Sequence, residues 1–279
     1  MGRAVRSAWA RLAAHRAGVA GALFILALIA VAVAHPLVSG TDPGLMSADV
    51  MMPPSGEHWL GTDELGRDVL AGLSQGVQVS LTVGFAAASA ASLLGVLVGA
   101  TAGFFGGKVD MLLMRFSEMF QVMPSFILAA VIVALAGPGL TRVVGVIGIL
   151  AWPQVARVMR SEVLRVSQLE FVDAVRCLGY SELAVLAGEV VPNALAPVLA
   201  VATLIVGQAI LLEASLGFLG LSSADLVSWG RMLNSGQRFL FDAWWLSFFP
   251  GLAIFATVLA FNLVGDAIGA ALDPKARLR

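Results

Sequence analysis

A carboxylate inside an apolar helix can relay a proton, hold a cation or pair with a neighbour, and Glu118, Glu213 and Asp266 stand inside the apolar runs of this chain. A proton relay needs several such groups in register through the membrane midplane. These three fall toward the ends of their runs, which fits structural carboxylates paired near an interface. His15, His35 and His58 are scattered without ligand spacing, so no metal site is expected. The nearest approach to a phosphate-binding loop is Gly103-Phe104-Phe105-Gly106-Gly107-Lys108-Val109. The pattern requires Gly at 102 and Ser or Thr at 109, and the chain has Ala102 and Val109. No nucleophile–base pair stands out. Cys177 is the single cysteine, which excludes an intrachain disulfide. The reading is of a protein with no catalytic residue, no cofactor and no metal.

Two segments between the apolar runs gather charge and glycine instead. Glu170-Phe171-Val172-Asp173-Ala174-Val175-Arg176-Cys177-Leu178-Gly179 predicts a short amphipathic helix. At 100° per residue Phe171, Ala174, Val175 and Leu178 share one arc, with Glu170, Asp173, Arg176 and Cys177 on the other side. Gly179 can leave the helix with positive φ, and Pro192 suits the first turn of the next one. A helix lying on lipid would carry Lys and Arg on its polar face. This one is mixed and partly acidic, a shape suited to passing on a push from a partner protein. The second segment holds Asp63, Glu64, Arg67 and Asp68, flanked by Gly61 and Gly66. It reads either as a solvated linker or as a cap on the mouth of a pathway, its mixed charges pairing across an interface.

The elements that must carry these segments are membrane helices. Apolar residues make up 59% of 279 positions and charged ones 13%, against roughly 45–50% and about 25% in soluble domains. Runs such as Ala17–Val38 and Ser80–Phe105 are long enough to cross a ~30 Å hydrocarbon core. Six helices are expected, at 17–38, 80–105, 114–136, 142–162, 194–219 and 243–270. With the N-terminus inside, only Arg67, Arg142, Arg231 and Arg238 of the 17 Lys and Arg fall outside. Both termini are therefore expected in the cytoplasm. The first run with Ala32-Val33-Ala34 has some likeness to a cleavable signal peptide, but it exceeds the usual 7–15-residue apolar core, and a retained helix is expected. Ala87, Ala91, Gly95, Gly99, Gly103 and Gly107 recur every fourth position, the mark of a tight helix–helix seam, with a glycine-lined pathway as the alternative. The organisation expected is an N-terminal tail, first helix and outer loop over 1–79, then a five-helix core over 80–279 containing an inner loop at 162–193. A net charge of -1 gives no support to nucleic-acid binding.

The inner loop resembles the "EAA" signature of ABC importer permeases, with Asp173-Ala174-Val175, Gly179 and Val191-Pro192 at matching separations. Asp for Glu, Val for the second Ala and Val for Leu depart from it. The run His58-Trp59-Leu60-Gly61-Thr62-Asp63-Glu64-Leu65-Gly66-Arg67-Asp68 is similar to the outer-loop motif of dipeptide, oligopeptide and nickel permeases. Phe104-Phe105-Gly106-Gly107, Met114-Arg115, Glu213-Ala214-Ser215-Leu216, Phe218-Leu219-Gly220-Leu221, Trp229-Gly230, Phe249-Pro250-Gly251, Phe261–Asp266 and Leu272-Asp273-Pro274 fit in order, and resemble the second, C-type permease. Ala71-Gly72 and Gly217 depart from the usual pattern.

The resemblance implies an all-α, six-helix permease fold in the bacterial inner membrane. It implies an unlike permease partner, two ATP-binding subunits that do the hydrolysis, and an extracytoplasmic solute-binding protein, all around the lipid bilayer. It assigns coupling to the ATPase to Glu170, Asp173, Ala174, Arg176, Gly179 and Pro192. The outer loop or gate falls to Gly61, Thr62, Asp63, Gly66, Arg67 and Asp68. Di- and oligopeptides lead as cargo, with nickel or a metal chelate as the alternative. An ion-coupled secondary transporter, which would show broken midplane helices and ion-binding groups in both halves, is a further one.

Overall fold

The computed structural model describes residues 15–39, 44–222 and 226–272. The N-terminal arginines Arg3, Arg6 and Arg11 and the tail from Asp273 to Arg279 lie outside them. Among the described residues the chain is helical apart from turns and one isolated β-bridge. Helix α1 is Arg16–Ser39, α2 Val69–Phe105, α3 Gly107–Val122, α4 Ser125–Ala136 and α5 Leu140–Val166. Then come α6 Glu170–Cys177, α7 Glu182–Phe218, α8 Trp229–Gly236 and α9 Trp245–Leu272.

Helix α2 begins at Val69, not at residue 80, because Asp68 caps it: its carboxylate accepts the Ala71 N–H at 2.9 Å. The residue 79/80 division therefore falls inside a helix. At 37 residues α2 is about 55 Å long, so it projects well beyond the hydrocarbon core. Its small residues pack against α5. Ala87 and Ala91 are fully buried, a Cβ on Gly95 would strike Val155, and one on Gly103 would stand 2.7 Å from the Arg160 carbonyl. Missing side chains let the two backbones approach. Gly107 is not part of this seam; it sits past the end of α2 with open space around it.

The single helix expected over 114–136 is broken. Met123 is extended ahead of Pro124, as a residue before proline prefers, and α3 and α4 meet at 82°. The pair still climbs α5 in step. Asp110 binds Arg160, Phe120 packs edge-on to Trp152 at 5.5 Å, and Val133 shares a buried cluster with Val143 and Ile147. Five long apolar helices and this bent pair taken as one crossing give six spans.

Helix α7 also departs from expectation. It starts at Glu182, capped by Ser181, so Pro192 sits inside a continuous helical run rather than at its head. A π-turn over Leu186–Val190 precedes the proline, and the Val191 N–H reaches back to the Leu186 carbonyl. A wider turn there relieves the clash a proline ring makes with the carbonyl four residues before it.

Candidate functional site

The loop before α2 is folded, and Thr62 and Asp63 are spent on its own backbone. Thr62 is fully buried; its hydroxyl donates to the Asp49 carbonyl at 2.5 Å and accepts from the Met52 N–H at 2.8 Å. One Asp63 carboxylate oxygen accepts the N–H groups of Leu65 and Arg67, both at 2.8 Å, closing the turn that carries Gly66. Gly66 has φ +70 and its backbone presses on the Ser47 carbonyl, so no side chain fits there. The loop is held to the bundle at two points. The Trp245 indole at the head of α9 donates to the Thr62 carbonyl at 3.2 Å and lies against Gly61. His58 Nδ1 is 3.1 Å from the Asp68 carboxylate, with Asp49 3.7 Å from its other nitrogen. The hydrogen bond to Asp68 and the two nearby negative charges raise the His58 pKa above its ordinary 6.5, against a smaller opposing effect of burial.

A cleft of about 340 Å³ opens beside this loop, where Asp63, Glu64 and Arg67 face Gln75 of α2 and Arg231 and Ser235 of α8. Beneath it α2, α7 and α8 are joined closely. Trp229 is fully buried, its indole N–H donating to the Leu73 carbonyl at 3.0 Å and its ring lying over Gly76. Gly230 sits directly on the backbone of Ala214. Next to it Glu213 is 2% exposed, and the Ser222 hydroxyl donates to one of its oxygens at 3.3 Å. Ser228 lines the same small pocket beside the carboxylate.

The opposite end carries α6. The sequence places Phe171, Ala174, Val175 and Leu178 on one arc, but the side packed on the bundle is rotated from it. Val172 is buried in the cluster with Val163, Val166 and Val185, and Val175 and Arg176 are half-buried beside it. Phe171, Ala174 and Leu178 are left exposed, Leu178 at 75%. Tyr180 and Leu183 extend this uncovered apolar strip. Arg176 is an internal staple: its guanidinium lies 5.6 Å from the centre of the Phe104 ring at the end of α2, 3.2 Å from Asp173 and 3.5 Å from Glu182. Gly179 ends the helix at φ +84 with open space around it, and Glu170 and Asp173 stand exposed at its N-terminal turn.

Residues 95–278 match the family described as binding-protein-dependent transport system inner membrane component, and residues 4–54 match the N-terminal TM domain of oligopeptide transport permease C. The chain belongs to this permease family. It is 37% identical over 272 residues to the dipeptide transport system permease protein DppC of Alkalihalophilus pseudofirmus, covering 97% of this chain and 90% of that one. It is 38% identical over 275 residues to the di/tripeptide transport system permease protein DppC of Pseudomonas aeruginosa, covering 96% and 91%. The oligopeptide transport system permease protein OppC of Bacillus subtilis is 36% identical over 276 residues, covering 98% and 90%.

This permease is thus an all-α, multi-pass protein of the bacterial inner membrane and a transport component rather than an enzyme. Of its intramembrane carboxylates, only Glu213 is buried. Glu118 is exposed and 3.4 Å from Arg115 one turn away, and Asp266 is exposed. The inner- and outer-end residues named from the sequence do gather at opposite ends of the bundle, while Pro192 lies exposed on α7, past its π-turn. Sequence reasoning missed the parts that hold these ends in place. Arg160 grips Asp110 through both carboxylate oxygens, tying the start of α3 to the C-terminal part of α5. Trp245 and Trp229 anchor the outer end. Trp229-Gly230 was visible as a motif, but nothing in the sequence pairs either tryptophan with a carbonyl more than 150 residues away.

Proposed function

We propose that this permease moves di- and oligopeptides inward as one half of a pore shared with a second, unlike permease. Two cytoplasmic subunits hydrolyse ATP, and an extracytoplasmic binding protein delivers the peptide. The observation that carries the reading is 36–38% identity across nearly the whole chain to permeases named for dipeptide, di/tripeptide and oligopeptide transport. The excess of Lys and Arg on one side supports cytoplasmic termini. In that orientation α6 faces the cytoplasm, where its uncovered apolar strip suits an ATPase subunit, and the folded outer loop faces the binding protein.

Proteoliposomes holding the full complex test this. Uptake of a radiolabelled dipeptide and tetrapeptide is expected to require internal ATP and external binding protein together. Uptake driven by an ion gradient without ATP would overturn the reading. Cysteines replacing Ser55 and Ser181, with Cys177 changed to Ser, are expected to react with an impermeant maleimide from opposite sides of the membrane.

A further inference from the structure

The break between α3 and α4 leaves a groove of about 430 Å³ on the side of the bundle, between α4, α5 and α7. Its walls include Ser125 and Phe126 at the head of α4, Gln154 on α5, and Gln208, Leu211 and Ser215 on α7. The α5 wall runs from Ile147 to Gln154, about 10–21 Å below the outer end of that helix at Leu140. The α7 wall lies about 5–20 Å below Phe218. Both intervals centre near the middle of a ~30 Å core.

At that depth the polar groups need an explanation. Gln154, Gln208 and Ser125 are exposed on the groove, and the two carboxamides have no hydrogen-bond partner among the described residues. Facing hydrocarbon, each would leave two donors and an acceptor without water. A tight seam with another helix would instead show small residues, as α2 shows α5; here Phe126 and Leu211 stand partly uncovered across an open volume. No charged residue lines the groove.

We propose that this groove is one wall of the peptide pathway, with Gln154 and Gln208 exchanging hydrogen bonds with the backbone amides of a peptide in transit. The inference rests on the peptide-importer reading above. A carboxamide offers a donor and an acceptor, matching a peptide N–H and C=O whatever the side chains are. The absence of charge from the wall keeps acidic and basic peptides from being trapped or refused, and weak neutral contacts let the cargo leave. The apolar walls of Phe126 and Leu211 accept side chains of varied shape.

The test uses the complete complex in proteoliposomes, with Gln154→Leu, Gln208→Leu and the double variant assayed for uptake of the labelled dipeptide and tetrapeptide. Each single change is expected to lower the uptake rate about threefold and the pair about tenfold, while the variant still co-purifies with the second permease and both ATPase subunits. Asn at both positions, which keeps the carboxamides, is expected to recover part of the rate. A single cysteine replacing Gln208, with Cys177 changed to Ser, should react with a water-soluble maleimide in the ATP-trapped complex and be protected by excess tetrapeptide. Wild-type uptake in the double Leu variant overturns the proposal while leaving the importer reading intact. Loss of the second permease on purification overturns it too, by making the groove a subunit contact. No peptide uptake by the wild-type complex overturns the importer reading itself.

Discussion

At one end of the bundle the loop before α2 turns Thr62 and Asp63 onto its own backbone, hides Thr62 completely and is fastened by the Trp245 indole. At the other end α6 touches the bundle through Val172 and Arg176, and turns Phe171 and Leu178 outward. Both segments are short and of mixed charge in the sequence, the loop carrying Gly61 and Gly66 and α6 followed by Gly179. The loop is closed by bonds within this chain even though Trp59 stays 71% exposed on it, whereas α6 docks through Val172 and leaves Phe171, Leu178, Tyr180 and Leu183 uncovered. A surface left this way is what a partner-facing element requires, because its apolar area is removed from water only on assembly. Damage to the outer end should therefore register as lost stability of this permease, and damage to the inner end as lost association.

The largest effect is expected from Trp229→Ala. It removes a fully buried ring packed on Gly76 and leaves the Leu73 carbonyl without its donor. Such a truncation costs about 3–5 kcal/mol. Thermal unfolding of the detergent-purified complex, followed by size-exclusion fluorescence, should show a clear drop in midpoint; an unchanged midpoint would mean that the outer joint is not structural.

Gly179→Val is expected to be milder for the chain and severe for the complex. Nothing crowds Gly179, so the cost is backbone strain alone, about 1–2 kcal/mol for a residue forced to φ +84. Membrane insertion should be normal while co-purification of the ATPase subunits falls. Retained association and uptake would remove α6 from the coupling role and erase the contrast between the two ends.

The smallest effect concerns pH at the outer loop. His58 has a raised pKa in the folded chain, so its link to Asp68 and Asp49 is fully present below the ordinary value of 6.5 and fades as pH rises through the raised one. The loop should be slightly more protected from external protease at pH 6 than at pH 8. His58→Gln should abolish that difference, and a difference that survives the substitution would assign it to another group.

Helix identity was largely legible because hydrophobicity and period are properties of consecutive residues. The small-residue repeat on α2 announced a seam for the same reason: spacing of four fixes one face whatever lies opposite. Positive φ at Gly66 and Gly179 sits where glycine punctuates charged turns. The misreadings arose where a boundary depends on hydrogen bonds between side chain and backbone. Asp68 starts α2 at Val69, and a π-turn lets α7 run through Pro192. The docking side of α6 was not legible for a related reason. Its apolar arc was legible as a ridge, and only the packing shows that Val172, outside that arc, is the residue that docks.

By itself, the sequence determined an all-α chain of six apolar crossings, an asymmetric charge across the membrane, and two polar segments at opposite ends. Those follow from local composition, which water and lipid read one segment at a time. Only the tertiary structure decided that Arg160 holds Asp110, that Trp245 and Trp229 close the outer end, and that a broken helix bares Gln154 and Gln208 at mid-depth. These pairings join residues 50 to more than 180 positions apart, and their partners are chosen by how whole helices pack.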